Sequence, residues 1–568
     1  MAAYRSFVSA LSISLVVGTS AGAASLSLIG TNTTGIFSTA GGASEIPAYD
    51  PATKRIFVVN AVDNRVDILD ASGLTTGSFG SIPKIGEITG LPGSPNSVAI
   101  ANGVVAVAVQ DATKTNNGTV RFYDTAGTLL NSVAVGALPD MLTFTPDGSK
   151  LLVANEGEPD FYGAGNVDPQ GTVSVIDLSG GVGGASVATA DFTSYVGQEA
   201  ALRAQGVRIF GPGANAAMDF EPESIAVSPD GTKAWVTLQE NNAIAEISLV
   251  GAPAVTTLRP LGLKDHSLAG NGLDASDGGG SGGGGPLINI TTAPVKGMYM
   301  PDGIASFTAG GQTFYVTANE GDARDYTGLV EEVRVGAGAY ALDAGVFPNA
   351  ATLKQNANLG RLTVSNQTGN TDADAQFEEI HVFGARSFTI WDENGQIVFE
   401  SGDDLEQITA AALATSFNSS HDNNASFDTR SDNKGPEPEG VAVGVVNGRT
   451  YAFIGLERIG GIVVYDVTDP NAPSFVQYLN NRDFTQPANS AGAGDLGPEG
   501  LVFVSAANSF LGVPLLIVGN EISGTTSVYS FAPEPGTLAL LALGVGFAAW
   551  RRRQPAAGRC KGDLQRVQ

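Results

Sequence analysis

The sequence predicts an all-β protein built from one four-stranded unit that repeats seven times. Three observations carry this prediction. A short strand recurs along the chain, tight-turn hairpins precede most of its copies, and glycine is about twice as frequent as usual, with 74 among 568 residues. Units of about 40–45 residues repeated in this way are typical of a β-propeller. We therefore predict a single seven-bladed β-propeller of the YVTN/WD-like type with long loop insertions.

The recurring strand alternates apolar with small or polar residues and then meets a turn, as strands of a sheet do. A hairpin comes before most copies, as where the Pro-Asp-Gly turn at 146–148 follows one strand and precedes the next. Leu26–Ile29 is predicted to pair with the last unit, which would remove an open sheet edge. The seven copies begin at Val66, Val120, Val173, Ile244, Phe388, Ile462 and Thr526.

Two intervals are too long for the repeat, 252–297 and 327–434. The first contains the glycine-rich stretch 278–285, which has the composition of a flexible linker. We expect both insertions to form loops over one face, where binding residues usually lie.

The two ends of the chain are predicted to be targeting segments that flank a propeller at 24–531. Residues 1–23 combine Arg5, an apolar stretch and the small residues 21–23, which together indicate a signal peptide for export. Residues 532–553 hold a Pro-Glu-Pro motif, the apolar run 538–550 and three arginines. That run is shorter than the ~17–25 residues that span a bilayer.

The C-terminal segment 532–553 resembles the PEP-CTERM sorting signal of Gram-negative bacteria. The resemblance implies processing by an exosortase-type membrane enzyme, a transient membrane anchor, and delivery to the cell surface or extracellular matrix. The atypical tail 554–568 departs from this signal, which normally ends soon after the arginines.

The charge and the rare residue types exclude several functions. The chain has 57 acidic and 30 basic residues, a net charge of −27, which argues against nucleic acid as a partner because phosphate neutralisation needs clustered Lys and Arg. One cysteine and three histidines argue against a disulfide scaffold, a cysteine-rich zinc site and an iron–sulfur site.

Two acidic positions recur in the repeated unit and define the candidate site. One follows a proline where the first hairpin strand begins, and the other lies at the end of the second strand. An antiparallel hairpin brings these two positions to the same edge. If the first strands line a central channel, ten carboxylates ring one of its mouths: Asp140, Glu156, Glu223, Glu240, Asp302, Glu320, Glu439, Glu457, Glu499 and Glu521.

So many like charges at close quarters are costly without counter-charges. The candidate basic partners are Arg324, Arg386, Lys434 and Arg458, and bound cations are the other remedy. Ligation by oxygen alone favours Ca²⁺, or less well Mg²⁺, over zinc or copper. The alternative is that these acids only begin and end strands and have a structural role.

A second acidic stretch, 370–379, places oxygen side chains at alternate positions, as a Ca²⁺ loop does. Asp372 and Asp374 are its candidate ligands. The match is partial, because Ala375 replaces the central glycine of an EF-hand loop and His381 stands where its last glutamate would be. A solvated acidic turn is the alternative.

Six longer motifs surround the recurring acids: GMYMPDGIASF from Gly297, YVTANEGDARDY from Tyr315, FGARSFTIWD from Phe383, SDNKGPEPEGVAVG from Ser431, FIGLERIGGIVVYDVTDP from Phe453 and LLIVGNEISGTTSVY from Leu515. Together they resemble the bacterial choice-of-anchor I family over roughly 42–531. The same core is similar to the mesenchyme-specific cell-surface glycoprotein of sea urchins.

This resemblance implies a cell-surface propeller that works with divalent cations. Some family members are labelled alkaline phosphatase, and the sea-urchin relatives are linked to calcium-mineral deposition. The glycine-rich insertion departs from the expected family pattern. The family motifs point to these positions: Asn319, Glu320, Asp322, Arg324, Asp325, Arg386, Glu437, Glu439, Glu457, Asn520 and Glu521.

Three functions stay open from the sequence. The first is a Ca²⁺-binding surface or matrix protein without catalysis. The second is a secreted metal-dependent phosphoesterase, in which Arg324 and Arg386 hold phosphate and His266 acts as acid or base; its catalytic candidates are Glu320, Asp322, Arg324, Arg386 and Glu439. The third is a module that adheres to extracellular polysaccharide or matrix, although no aromatic-rich motif supports it.

Overall fold

The computed structural model describes residues 24–280, 285–372 and 374–533. The predicted signal peptide, nearly all of the sorting segment and the C-terminal tail lie outside these described residues. Leu26–Phe531 form one compact unit. A second unit consists of Met1–Ser25 and Ala532–Gln568, and its described residues are only the first two of the first strand and the last two of the last strand.

Strands dominate the described chain, as predicted. After β1 (Ala24–Thr33), successive hairpins form sheets of four strands, numbered here along the chain. Sheet 1 contains β2 (Pro47–Asp50), β3 (Arg55–Asn60), β4 (Arg65–Asp70) and, after the short β5 (Gly80–Ser81), β6 (Lys84–Ile88). Sheet 2 contains β7 (Pro95–Ala101), β8 (Val104–Val109), β9 (Asn117–Asp124) and β10 (Leu129–Ala137).

Sheets 3 and 4 repeat this order and are joined by two short helices, α1 (Glu199–Ala204) and α2 (Ala216–Asp219). Sheet 3 contains β11 (Pro139–Phe144), β12 (Lys150–Asn155), β13 (Thr172–Asp177) and β14 (Ser186–Asp191). Sheet 4 contains β15 (Pro222–Val227), β16 (Lys233–Leu238), β17 (Ala243–Ser248) and β18 (Ala254–Pro260).

A region of small elements follows sheet 4 and interrupts sheet 5. Its strands are β19 (Leu263–Asp265) and β20 (Lys296–Met298) before sheet 5 begins with β21 (Ile304–Ala309) and β22 (Gln312–Asn319). Inside sheet 5 the chain inserts β23 (Asp325–Tyr326), β24 (Leu329–Val330), β25 (Glu332–Arg334), α3 (Ala350–Leu353), β26 (Thr363–Ser365) and β27 (His381–Val382). Sheet 5 then ends with β28 (Ser387–Asp392) and β29 (Ile397–Glu400).

Helix α4 (Asp404–Ala412) leads to the last two sheets. Sheet 6 contains β30 (Pro438–Val446), β31 (Arg449–Leu456), β32 (Ile462–Asp466) and β33 (Ser474–Leu479). Sheet 7 contains β34 (Pro498–Val504), β35 (Leu515–Asn520) and β36 (Thr525–Pro533), with β1 next to β36 and β5 next to β1. The predicted pairing of the N-terminal strand with the last unit is therefore confirmed.

The recurring strand of the sequence is the third strand of every sheet, counted from the hairpin that begins it. These strands are largely covered on both faces, as in β4, β13 and β32, whose inner residues are all buried. Hydrophobic clusters join neighbouring sheets, as where Trp235 of sheet 4 packs near Tyr315 and Trp391 of sheet 5. Sheet 7 packs against sheet 1 in the same way, through Ile517 and Val58 among others.

The first strands of the sheets lie side by side in chain order, from β2 through β7, β11, β15, β21 and β30 to β34. The strand β34 in turn lies against β2, so the first and last sheets are neighbours. The fold is all-β and propeller-like.

The expectation that 327–434 forms loops is wrong in part. The insertion carries its own hydrophobic core, which includes Val335, Tyr340, Leu362 and Ile380. Its apolar residues lie far apart in the sequence, so no local hydrophobic periodicity predicted this core. Of the glycine-rich stretch 278–285, residues 281–284 lie outside the described residues.

Candidate functional site

The recurring acids meet where the hairpins of sheets 3 to 7 begin and end. In sheet 3, Pro139 pairs with Asn155, which brings Asp140 and Glu156 to the same edge. The same pairing of a proline with the last residue of the second strand recurs in sheets 4, 6 and 7. This register is the geometric reason why a repeat in the sequence becomes a cluster in space.

The backbone at these strand starts is irregular in a repeated way. A shift of register follows the proline in sheets 3, 4, 6 and 7, so in these four sheets the acid after the proline lies at a β-bulge, which re-aims side chains. The residues before three of the prolines are Leu138, Met300 and Glu437, with φ of 48°, 41° and 52°. A left-handed conformation is costly for such residues and tends to persist at functional sites.

The acids line one cavity of about 450 Å³, called here the acidic cavity. The structure brings together nine of the ten predicted carboxylates and adds Asp322, one of the positions to which the family motifs point. The lining carboxylates are Asp140, Glu156, Glu223, Asp302, Glu320, Asp322, Glu439, Glu457, Glu499 and Glu521. The tenth predicted residue, Glu240, is 5 % exposed and is not part of this lining.

Only two permanent cations, Lys434 and Arg458, belong to the described lining. The Nζ of Lys434 lies 2.8 Å from Oε1 of Glu320 and 3.3 Å from Oε2 of Glu437. The Nε of Arg458 lies 3.0 Å from a carboxylate oxygen of Glu437 and 3.0 Å from one of Glu457. Lys434 and Arg458, two of the four predicted basic partners, therefore lie beside the recurring acids, as the sequence predicted.

Six lining carboxylates have no such partner. Among the described residues, no basic side chain forms a salt bridge with Asp140, Glu156, Glu223, Asp302, Glu439 or Glu499. The Oε2 atoms of Glu223, Glu439 and Glu499 are buried and accept no hydrogen bond from the described protein. Buried charge without a partner is costly, so these groups need either protons or a cation.

Asp302, Glu320 and Glu439 form one group in which each residue offers an oxygen within 4.8 Å of the others. Burial, and then the neighbouring Glu320, raises the pKa of Asp302 to about 8. Burial raises the pKa of Glu320 to about 7, even though Lys434 acts in the opposite direction. The pKa of Glu439 lies well above its ordinary value because of burial and then of Glu457.

Burial and neighbouring carboxylates also raise the pKa values of other lining acids. Burial raises the pKa of Asp140 to about 7, with a smaller contribution from the negative Glu158. Burial followed by neighbouring carboxylates also lifts the pKa of four more lining acids well above the ordinary value: Glu156, Glu223, Glu499 and Glu521.

Three residues of the site were not predicted from the sequence. His421 lies in the lining with Nδ1 2.8 Å from Oε1 of Glu457. Gln239 donates a hydrogen bond of 3.0 Å to Oε2 of Glu320. Glu45 lies near Glu499 and Glu521. None of the three belongs to a Pro-acid pair, so the repeat could not reveal them.

The predicted phosphate clamp is not supported, because both of its arginines are used elsewhere. Arg324 is 1 % exposed, and all its guanidinium nitrogens bind Asp219 and Glu221. Arg386 is also buried, and it pairs with Glu406 at 2.7 Å and donates to backbone carbonyls. Neither arginine belongs to the lining of the acidic cavity.

The predicted acid–base role of His266 is not supported either. The ring is fully buried outside the cavity lining, and Nδ1 lies 2.8 Å from the carbonyl oxygen of Asn271. Burial, and then the nearby Lys264, lowers the pKa of His266 to about 3. A ring with this pKa is neutral at pH 7 and has no access to a substrate in the cavity.

Three more positions from the family motifs are not ligands in this arrangement. The side chain of Asn319 donates to the hydroxyls of Ser387 and Thr389 and so joins two strands of sheet 5. The side chain of Asn520 donates to the carbonyl of Thr525. Asp325 is exposed at the start of β23.

The second predicted metal group lies on the surface of the insertion. Asp372 and Asp374 are exposed, and with Glu378 they offer oxygens within 4.8 Å of one another. The Oε2 of Glu378 already accepts a hydrogen bond of 2.7 Å from the backbone of Thr371. This group is separate from the acidic cavity.

A second cavity, of about 410 Å³, continues from the acidic one and is called here the inner cavity. It is lined by residues of the first strands of all seven sheets, many of them apolar, such as Val98, Leu142 and Leu501. Asp140, Asp302 and Glu499 line both cavities. These three acids therefore lie where the two cavities meet.

Two family models match this chain. The choice-of-anchor I domain matches residues 45–470, and the PEP-CTERM protein-sorting motif matches residues 532–553. Such a motif implies processing by an exosortase. Within the described residues, no helix has the length and apolar character needed to cross a membrane.

Two characterised proteins are similar over about a third of the chain. Gigasin-3a of Magallana gigas is 27 % identical over 189 residues, 31 % of this chain and 66 % of its own. The mesenchyme-specific cell surface glycoprotein of Strongylocentrotus purpuratus is 28 % identical over 216 residues, 32 % of this chain and 27 % of its own. The matches thus span less than two thirds of either relative.

Two solved structures are similar to this chain at 9 % identity. The Myceliophteria thermophila Cps50 (Swd1) propeller domain has a TM-score of 0.39 and covers 88 % of this chain and 99 % of its own. The WD40 domain of Toxoplasma gondii coronin has a TM-score of 0.42 and covers 90 % of each chain.

Proposed function

Because the chain belongs to the choice-of-anchor I family and carries a PEP-CTERM sorting motif, it is an exported cell-surface protein with a C-terminal anchor, and we propose that it binds divalent cations, above all Ca²⁺, in its acidic cavity. The observation that carries the proposal is the set of six lining carboxylates without a basic partner among the described residues. A bound cation supplies the positive counter-charge that the described side chains do not give to these six carboxylates.

The first ligands in this proposal are Asp302, Glu320 and Glu439. Their oxygens lie close enough for one ion to reach all three, and the buried Oε2 of Glu439 has no other partner in the described protein. Lys434 is the neighbouring cation, and it shares Glu320 with the ion.

The chemistry of the lining supports Ca²⁺ over other metals. Carboxylate oxygens from five sheets surround a wide cavity, and Ca²⁺ accepts six to eight oxygens in flexible geometry. Mg²⁺ needs a tighter octahedral arrangement and keeps several of its waters. Zinc and copper prefer nitrogen or sulfur, and His421 is the only imidazole in the described lining.

We also propose that the seven sheets form a closed, seven-bladed propeller with the two cavities along its axis. The contact of each first strand with the next, including β34 with β2, supports this. The pairing of β1 with β36 supports it further, since closure of the ring by both ends of the chain removes open edges.

Equilibrium dialysis of the metal-free exported protein tests the cation proposal. At pH 8 we expect the protein to bind Ca²⁺ more tightly than Mg²⁺, and Glu439→Gln to weaken Ca²⁺ binding by about tenfold or more. The matched control is Glu393→Gln, an exposed carboxylate on the surface, which leaves binding unchanged.

The same preparations decide between binding and catalysis. If phosphomonoesters or phosphodiesters are hydrolysed, if a chelator stops this turnover, and if Glu439→Gln abolishes it, the protein is a metal-dependent phosphoesterase rather than a cation-binding surface protein. If the protein neither binds Ca²⁺ nor hydrolyses these esters, the proposal is wrong and the acids are structural.

A further inference from the structure

A second cluster of acids joins parts of the chain that are far apart in sequence. Glu45 lies on the segment between β1 and β2, Glu499 lies in β34, and Glu521 follows β35. Each offers an oxygen within 4.8 Å of the others. The group therefore connects the N-terminal segment with the last sheet, across the place where the two ends of the propeller meet, called here the seam.

The N-terminal segment runs along the end of sheet 7 and is held there by hydrogen bonds. The amide of Ser38 donates to the carbonyl of Ile522 at 3.0 Å, and the amide of Ala43 donates to the carbonyl of Glu521 at 3.0 Å. The hydroxyls of Ser44 and Thr526 lie 2.8 Å apart. These contacts fix the path of the chain up to Glu45.

The backbone of Glu45 is itself confined. Its amide donates to the carbonyl of Val59 at 3.0 Å. Its carbonyl oxygen lies so close to Gly519 that a Cβ at that glycine would stand only 1.8 Å from it. The side chain of Glu45 therefore starts from a fixed point beside sheet 7.

Two carboxylates of this seam cluster, those of Glu45 and Glu499, form no salt bridge with a described residue. The Oε2 atoms of Glu45 and Glu499 are both buried and accept no hydrogen bond. The nearest basic group to Glu521 is the imidazole of His421, with Nδ1 3.8 Å from Oε1 of the glutamate. Burial, followed by Asp140, raises the pKa of Glu45 to about 8.

We infer that Glu45, Glu499 and Glu521 form a separate Ca²⁺ site that clamps the seam of the propeller. Three carboxylates around one ion suit a hard divalent cation. Because the ion binds only when the N-terminal segment lies against sheet 7, its binding free energy stabilises the closed ring. This inference rests on the proposed cation-binding function and adds a second ion with a structural role.

Hydrogen exchange measured by mass spectrometry on the exported protein tests the clamp. Some amides exchange only when the seam opens. At a Ca²⁺ concentration of about ten times the dissociation constant, we expect their hydrogen exchange to slow by about tenfold. We expect this slowing in peptides from β1 and β36. In Glu45→Gln we expect the Ca²⁺-dependent slowing to disappear. Equilibrium dialysis of this variant should show about one bound ion fewer per chain.

Two further variants make the outcome decisive. Asp302→Asn removes a ligand of the other cluster and is expected to keep the Ca²⁺-dependent protection of the seam. Glu499→Gln repeats the test from the opposite side of the seam, in case Glu45→Gln does not fold. The inference is overturned if Ca²⁺ binds but β1 and β36 gain no protection, or if Glu45→Gln retains it. Absence of all Ca²⁺ binding overturns the proposed function as well.

Discussion

Two groups of buried carboxylates in this molecule differ in how their charge is balanced. In the paired group, Arg324 holds Asp219 and Glu221, and Arg386 holds Glu406. In the unpaired group, which includes Asp302 and the other five lining acids without a salt bridge, no described basic side chain plays this part. The chain thus supplies an arginine for each of these buried acids, whereas six carboxylates of the acidic cavity have no basic partner among the described residues.

Glu437 shows how strongly a partner changes the outcome at similar burial. Burial alone would raise its pKa, but Arg430, Arg458 and Lys434 outweigh burial and hold the pKa well below the ordinary value. Glu439, two residues further on, has no such partner, and its pKa lies well above that value. The contrast identifies counter-charge, rather than depth, as the property that distinguishes the two groups.

The largest expected effect is in the paired group. Arg324→Met leaves Asp219 and Glu221 as uncompensated buried charges, and we expect it to lower the free energy of unfolding by about 3–5 kcal/mol. Denaturant unfolding measures this. Arg259→Met is the control, since Arg259 pairs at 2.8 Å with Glu246 in a part-exposed position, and such pairs contribute less than about 1 kcal/mol. Equal losses in both variants would erase the distinction between the groups.

The unpaired group makes the stability of the metal-free protein depend on pH. Between about pH 4 and pH 8 the unfolded chain releases protons that the native Asp302 keeps, because its pKa is raised from 3.8 to about 8. The free energy of unfolding therefore falls as the pH rises through this window, by up to about 1.4 kcal/mol per pH unit for one such group.

Two comparisons check this pH dependence. Asp302→Asn removes the titrating group and should flatten the profile, and saturating Ca²⁺ should offset the loss of stability above pH 7. Thermal unfolding of the metal-free protein between pH 5 and pH 8.5 gives the profile. A stability that rises with pH across this range would contradict the raised pKa values.

Lys434 contacts both Glu320, one of the proposed ligands, and Glu437. Its replacement in Lys434→Gln removes a positive charge beside the proposed ion. We expect Ca²⁺ to bind about tenfold more tightly at low salt, while the metal-free protein becomes less stable. Titration calorimetry measures the affinity. Weaker Ca²⁺ binding in this variant would place the ion away from Glu320.

The smallest effect is expected on the surface of the insertion. Asp374 is exposed, so Asp374→Asn should change the free energy of unfolding by less than about 0.5 kcal/mol. It should also leave unchanged the number of ions that bind tightly in equilibrium dialysis. A loss of one tightly bound ion would show that the surface acids form a site comparable to the cavity.

The sequence predicted the features that repeat. Periodicity predicts the third strand of each sheet and the hairpin before it. Antiparallel pairing then brings the Pro-acid pairs close to acids such as Glu156. Both rules act over short stretches of sequence. The β-bulges that carry Asp140 and its counterparts were not predicted, although the proline at each strand start is their common mark.

The features that do not repeat were not predicted, because they depend on contacts between residues that are distant in the sequence. Arg324 stands next to acidic family positions in the sequence, yet it binds Asp219, more than a hundred residues away. His421 reaches the acidic cavity and Glu45 the inner cavity from segments without a repeat, and the core of the insertion assembles from scattered apolar residues. No sequence pattern distinguishes these long-range partners from solvated charges.

Anomalous diffraction from crystals of the exported protein grown with Tb³⁺ in place of Ca²⁺ locates the ion that the unpaired carboxylates are proposed to bind. We expect a strong peak bounded by Asp302, Glu320 and Glu439, displaced by added Ca²⁺ and absent in Glu439→Gln. A cavity without a peak, in crystals where exposed acids such as Asp372 carry one, would contradict the claim that the unpaired carboxylates bind the ion.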